Sequence, residues 1–144
     1  MSERATSWQR LGVWDAIVRP GRSGADRAET GVIVTPRHDF SLAFVIGSHE
    51  GDADLKRVLG ERYALRPPHT PHAVCGVSLD LLWSGPSQWL AVSVRPQMPA
   101  ELSLELAGIA AVTDQTDARA VLRLNGPHVR DVLGKGCPVD LHDR

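Results

Sequence analysis

The stretch VTDQTDARAVLRLNGPHVRDVLGKGCPVDL, residues 112–141, predicts a strand, a turn and a helix in direct succession. The strand is apolar at every second residue, and its opposite face carries Arg119 and Arg123. Asn125 and Gly126 end this strand, and Pro127 suits the first helical position because its missing N–H would have no partner there. The apolar strand face consists of Ala118, Ala120, Leu122 and Leu124, and the helix has a stripe of Val129, Val132 and Leu133.

The sequence before this stretch alternates between strand-like and helix-like patterns. Three prolines make residues 65–72 a non-helical connector. Together the segments predict an α+β fold, with a mixed, mostly antiparallel sheet and helices on one face. The predicted strands are residues 11–18, 31–35, 40–47 and a hairpin of 77–83 with 88–94; the predicted helices are residues 52–63 and 96–109.

Phase within these elements predicts which side chains are buried. Cys75 and Trp83 share the phase of an apolar strand face, so both are expected in the core. Trp89 is out of phase with Leu90 and is expected to be half exposed. Asp52 is placed to accept hydrogen bonds from the free N–H groups at the start of its helix.

Length and composition limit the class of protein. We expect 144 residues to form one domain over positions 1–144, with a loose polar segment at 1–10. The apolar share of 42% is ordinary, and no run approaches the roughly 18 apolar residues of a membrane span. The first twenty residues contain no apolar core of a secretory signal, so we expect a cytoplasmic protein. A net charge of -1 gives no electrostatic case for binding nucleic acid.

Motifs for catalysis or metal binding are missing from the sequence. It contains no dinucleotide fingerprint, phosphate-binding loop or nucleophile elbow. His69 and His72 are three residues apart, but in a polyproline-type segment their backbones lie about 9 Å apart, too far to favour one zinc ion. The sequence therefore predicts no catalytic residue and no metal site.

The segment 84–141 resembles the gamma subunit of heterotetrameric sarcosine oxidase, a family similar in fold to the folate-binding aminomethyltransferases, or glycine-cleavage T-proteins. The resemblance is carried by the DQTDAR turn at 114–119, the LNGPHVRDVL junction at 124–133, the KGCPVDL segment at 135–141 and the upstream SGPSQWLAVS at 84–93. The first 75 residues share the organisation of the family rather than its motifs.

This resemblance implies a subunit of a cytoplasmic complex with alpha, beta and delta partners. Such a complex demethylates sarcosine oxidatively to glycine, forms hydrogen peroxide and passes the one-carbon unit to tetrahydrofolate. The resemblance places FAD, FMN, NAD and zinc in the other subunits and implies a non-catalytic role for this chain in sarcosine catabolism. The exposed cations expected at a partner interface are Arg119, Arg123 and Arg130.

Members of the family continue beyond the KGCPVDL segment with more strands and a final helix. The resemblance therefore implies that the fold of this chain is C-terminally incomplete. We then expect one sheet edge to be open for pairing with another chain.

Two alternatives to the subunit hypothesis remain. One is a free-standing folate-binding protein of the same fold, in which Trp89 would stack on a pterin and Asp114 would pair with its ring nitrogens. The other is an unrelated α+β interaction module.

Overall fold

The structure, a computed structural model, describes residues 12–23, 30–48, 50–139 and 141. The chain divides into two compact units. The larger unit is Asp39–Arg119, and the smaller unit combines Met1–His38 with Ala120–Arg144. The predicted loose segment 1–10 lies outside the described residues, and the assignment of one domain stays a prediction.

The described elements alternate between strands and short helices. In chain order they are a 3-10 helix (Val13–Ala16), β1 (Ile33–Arg37), β2 (Ser41–Gly47), α1 (Asp52–Tyr63), β3 (Ala73–Cys75), β4 (Asp80–Gly85), β5 (Gln88–Ser93), α2 (Met98–Glu105), β6 (Ala110–Asp114), β7 (Val121–Asn125) and α3 (Val129–Leu133).

The larger unit is built on a five-stranded sheet with the order β3-β4-β5-β2-β6. Each neighbouring pair of strands in it is antiparallel. This confirms the α+β class and the predicted hairpin, now β4 and β5. It adds two strands that we did not predict as separate elements, β3 and β6.

The core lies between this sheet and helices α1 and α2. Leu55 and Leu59 of α1 and Leu102 near the middle of α2 are almost fully buried, as their helical spacing predicts. They share one hydrophobic cluster with the inner residues of the sheet, so both helices contribute to a common core. The inner residues from the strands are Ala43, Val45, Leu81, Trp89 and Ala91.

The ends of α1 are capped without side-chain hydrogen bonds. Gly51 is the N-cap, and no side chain caps the helix. Asp52 was expected to do so, but its carboxylate accepts a hydrogen bond from Lys56 one turn later. At the other end Ala64 adopts a left-handed conformation, and its N–H donates to the carbonyl of Gly60.

The prediction of a strand over residues 11–18 was wrong. Residues Val13–Ala16 form a 3-10 helix instead, and Leu11 lies outside the described residues. The N–H groups of Ile17 and Val18 donate to the carbonyl of Trp14 at 3.0 and 2.7 Å. These local bonds satisfy backbone groups that a strand would have needed a neighbouring chain segment to satisfy.

The smaller unit contains a two-stranded antiparallel sheet of β1 and β7, referred to below as the ribbon. Strands β1 and β2 follow each other in the sequence, but they belong to different sheets. The continuous apolar run at residues 31–35 suggests a strand buried on both faces, but Ile33 and Val34 are exposed. Strand β7 begins at Val121, later than the apolar alternation suggested.

The turn after β7 explains why the sequence has glycine at position 126. Gly126 has a φ of 134°, which side chains disfavour, and an added Cβ would lie 2.5 Å from the carbonyl oxygen of Gly31. The same carbonyl accepts a hydrogen bond from the N–H of His128 at 3.0 Å. The following helix, α3, has no buried residue, and the expected inner residue Val132 is 47% exposed. A five-residue helix presents too little surface for a continuous buried stripe.

Candidate functional site

The two tryptophans of the β4–β5 hairpin differ from the prediction, which placed Trp83 in the core and left Trp89 half exposed. Trp83 and Trp89 lie opposite each other in the strand register. Trp89 is only 5% exposed, whereas Trp83 is partly exposed. Both faces of β5 carry apolar residues, so the sequence of the strand alone did not identify the face on which the helices pack.

Trp89 has a structural hydrogen bond. Its Nε1–H donates to the main-chain carbonyl of Pro68 at 2.6 Å. Pro68 lies in the proline-rich connector, outside any helix or strand. The indole therefore attaches the connector to the sheet, and it does not offer an exposed ring face to a ligand.

Asp114 is exposed at the end of β6, and its carboxylate is used in the turn that follows. One oxygen accepts hydrogen bonds from the backbone N–H of Thr116 at 2.9 Å and from its hydroxyl at 2.6 Å. The Thr116 hydroxyl oxygen also accepts from the N–H of Leu42 at 3.1 Å. The DQTD segment thereby fixes the connection between β6 and β2.

Trp89 and Asp114 lie in the same sheet, separated by strand β2. In the register Trp89 is aligned with Val45, which is aligned with Val112, two residues before Asp114. The buried indole and the turn-forming carboxylate do not form a common open surface. The folate-binding assignment of these two residues stays a prediction without a structural observation in its favour.

The three arginines expected at an interface are all exposed, but they occupy different units. Arg119 is the last residue of the larger unit, while Arg123 and Arg130 belong to the smaller one. Within the described part of the chain, the Arg123 guanidinium has no hydrogen-bond or ion-pair partner. Arg130 lines an open depression of about 470 Å³ together with Cys137 and Leu141. Their role at an interface stays a prediction.

Arg123 lies on the exposed face of the ribbon. Register places Arg123 opposite Thr35, and Asn125 opposite Ile33. These four residues alternate along the two strands and therefore share one face. Ile33 is 53% exposed, so this face combines an apolar side chain with a cation. Sequence reasoning found Arg123 but missed Ile33, because the pairing of β1 with β7 spans most of the chain.

Cys75 is exposed, although it was expected in the core. It ends the edge strand β3, and a turn follows in which the N–H of Gly76 bonds to the carbonyl of Leu79 at 3.1 Å and to Asp80. This turn interrupts the alternation that linked Cys75 to the buried Leu79. Cys137 is partly exposed. No group of three or more potential metal ligands occurs among the residues that the structure describes.

One partly buried polar contact joins the two core helices. The Tyr63 hydroxyl donates to Glu105 at 2.8 Å. Burial, followed by this hydrogen bond and the charge of Glu105, raises the pKa of Tyr63 well above its ordinary value. The contact connects α1 to the end of α2 and is structural rather than catalytic. Within the described ranges, no helix is long and apolar enough to cross a membrane.

Comparison with known proteins gives relatives of one kind. The chain is 41% identical over 69 residues to the sarcosine oxidase subunit gamma of Corynebacterium sp. (strain P-1), covering 44% of this chain and 32% of that protein. It is 35% identical over 96 residues to the sarcosine oxidase subunit gamma of Arthrobacter sp, covering 65% of this chain and 46% of that protein. The chain thus spans less than half the length of these relatives. No protein-family model matches it.

The fold is also found in a solved structure. A chain of the heterotetrameric sarcosine oxidase from Corynebacterium sp. U-96, in complex with pyrrole 2-carboxylate, matches with a TM-score of 0.61 and 25% sequence identity. The match covers 77% of this chain and 58% of that chain. Fold and sequence are thus both similar to subunits of a heterotetrameric oxidase. More specifically, the sequence is similar to the sarcosine oxidase gamma subunits, which confirms the resemblance inferred from residues 84–141.

Proposed function

We propose that this chain acts as a gamma subunit of a heterotetrameric sarcosine oxidase. The proposal rests on the agreement between a sequence comparison and a structure comparison. The sequence relatives are gamma subunits, and the structural match, over 77% of this chain, is to a heterotetrameric sarcosine oxidase. The proposed complex would demethylate sarcosine to glycine, form hydrogen peroxide and transfer the one-carbon unit to tetrahydrofolate in the cytoplasm.

Within this complex we assign the chain a non-catalytic role. The side chains that sequence reasoning selected for a ligand have structural uses here, because Trp89 binds the Pro68 carbonyl and Asp114 binds Thr116. The reaction would then depend on FAD, FMN, NAD and zinc in the alpha, beta and delta subunits. The contribution of this chain would be to pack against the large, folate-handling subunit and stabilise it.

We assign the partner contact to three exposed arginines, two of which lie in the smaller unit. Its ribbon exposes Ile33 beside the cation of Arg123, and Arg130 lies on the exposed surface of the following helix. Arginine is favoured at protein interfaces because its planar guanidinium binds carboxylates with two parallel hydrogen bonds. Arg119 is the third candidate cation.

Co-expression tests this assembly directly. A tagged form of the chain is produced with the alpha, beta and delta subunits of the same genome and purified through the tag. The proposal expects the four chains to co-purify at equal stoichiometry. Recovery of the tagged chain alone, while the other three assemble without it, would contradict the role. Quenching of its tryptophan fluorescence by tetrahydrofolate in that case would favour the folate-binding alternative.

A further inference from the structure

In the described part of the chain, every buried hydrophobic side chain belongs to the larger unit, Asp39–Arg119. Most of them form one cluster between the five-stranded sheet and helices α1 and α2. Three or more strands packed against a helix can be stable independently, and the segment is well above the roughly 40 residues below which domains usually need disulfides or metals. The larger unit therefore contains a core sufficient for folding without the rest of the chain.

The two ends of the larger unit lie side by side. The unit is one continuous segment, whereas the smaller unit combines the segments on either side of it, 1–38 and 120–144. Its first strand, β2, and its last strand, β6, are antiparallel neighbours in the sheet. The register places Ala43 opposite Asp114, so the chain enters and leaves the unit at the same place. A segment with adjacent ends can be inserted into another fold without straining either one.

The DQTD turn holds these two ends together by hydrogen bonds to Leu42, which precedes the last aligned pair of β2 and β6. The carbonyl of Leu42 accepts from the N–H of Gln115 at 2.8 Å, and its N–H donates to the Thr116 hydroxyl oxygen at 3.1 Å. The hydroxyl itself donates to Asp114 at 2.6 Å. The Thr116 side chain thereby continues the pairing of β2 after β6 has ended.

We propose that Asp39–Arg119 is an inserted folding unit that stays folded when the smaller unit opens, and that Thr116 closes it at its two ends. The single domain expected from the chain length is then two units with separate unfolding transitions. The connections at residues 38–39 and 119–120 are the points at which one unit can open while the other stays intact. The proposal concerns the chain itself and does not depend on the proposed function.

Native-state hydrogen exchange on the full chain, measured by mass spectrometry at increasing urea concentrations below the main transition, tests for separate unfolding. Peptides covering β2, β4, β5 and α2 should share one opening free energy and one urea dependence. Peptides covering β1 and β7 should open with a different free energy and a smaller urea dependence, because less surface is exposed. One common free energy and urea dependence for both sets of peptides would overturn the proposal.

A pair of glycine variants tests independence from the side of the smaller unit. Gly126 has a φ of 134°, and an added Cβ would lie 2.5 Å from the carbonyl oxygen of Gly31. Gly126→Ala should therefore speed exchange in β1 and β7 at least about tenfold, while rates in the larger unit change by less than about twofold. Gly136→Ala is the matched control, because an added Cβ there meets no atom of the described residues within 4 Å. Equal acceleration in both units, or loss of protection throughout the Gly126→Ala chain, would refute independent folding.

Thr116→Val tests the closure of the larger unit, because it removes the hydroxyl and keeps the branched shape of the side chain. The N–H of Leu42 then loses its acceptor, so peptides spanning residues 41–44 and 112–116 should exchange about tenfold faster. Thr113→Val, at an exposed threonine of β6, is the matched control and should change these rates by less than about twofold. Equal effects from the two valine variants would remove Thr116 from its proposed role.

Discussion

The indole Nε1–H of Trp89 donates a hydrogen bond to the carbonyl of Pro68 at 2.6 Å, and this bond joins the proline-rich connector to the central sheet. Both partners are buried. The connector cannot form a helix, so a side chain provides the hydrogen bond that regular structure would otherwise provide. The tryptophan that sequence reasoning assigned to a ligand is thus a structural residue.

Trp89→Phe should lower the free energy of unfolding by about 2–4 kcal/mol. The change leaves the buried Pro68 carbonyl without its donor and removes part of a packed ring. Trp83→Phe, at the partly exposed position across the hairpin, is the matched control and should cost less than about 1 kcal/mol. Urea denaturation followed by far-ultraviolet circular dichroism measures both. Equal effects from the two variants would show that the burial assignment is incorrect.

Leu102 and Leu104 of α2 provide a second matched pair. Leu102 is completely buried, whereas Leu104 is 79% exposed. Leu102→Ala should destabilise the chain by about 2–5 kcal/mol through lost burial and a cavity, while Leu104→Ala should change stability by about 0.5 kcal/mol or less. The same denaturation experiment applies. A large loss from Leu104→Ala would mean that this face of α2 has a contact outside the described structure.

Tyr63 should make stability depend on alkaline pH. Its pKa is raised in the folded chain, so the neutral hydroxyl is favoured by folding. The resulting stabilisation is complete below the ordinary tyrosine pKa of about 10 and should be lost as the pH rises through the higher folded value. The chain has one tyrosine, so tyrosinate absorbance in the near ultraviolet reports its titration directly.

Tyr63→Phe is the corresponding variant. It should cost about 1 kcal/mol at neutral pH, because Glu105 loses its hydrogen-bond donor, and it should remove the tyrosine contribution to the loss of stability above pH about 10. Titration of the wild-type tyrosine at the ordinary value for an exposed phenol would contradict the contact with Glu105.

Cys75 should react readily with thiol reagents in the folded chain. It is exposed at the edge of the five-stranded sheet, whereas Cys137 is only partly exposed. We expect the Cys137→Ser variant, which retains Cys75, to be modified by Ellman's reagent faster than the Cys75→Ser variant, which retains Cys137. In denaturant, the single cysteine that each variant retains should react at the same rate. The reverse order in the folded state would restore the original expectation of a buried Cys75.

Local sequence determined several elements of this fold correctly. The spacing of Leu55 and Leu59 predicted α1 with its correct ends, and the proline-rich connector was correctly excluded from a helix. The apolar alternation in residues 77–83 and 88–94 predicted the hairpin of β4 and β5. In each case the elements depend on residues close together in the chain, so periodicity and turn chemistry were sufficient.

Long-range pairing could not be predicted in the same way. Ile33 and Asn125 are partners in the ribbon, but neither local pattern specifies the other. The burial of Trp89 depends on which face of the sheet receives α1 and α2, and both faces of β5 carry apolar residues. The exposed Arg123 was identified from strand alternation, whereas its place on the ribbon, opposite Thr35, required the register.

Sarcosine-dependent hydrogen peroxide formation by the co-expressed complex, with and without this chain, tests the proposed role most directly. The account predicts that the three other subunits produced without the chain form an unstable assembly that loses most of its activity during purification. Adding back the chain to the co-expression should restore both assembly and turnover, while the chain purified alone should be colourless and inactive. Undiminished activity in its absence, or turnover of sarcosine by the chain alone, would contradict a structural subunit.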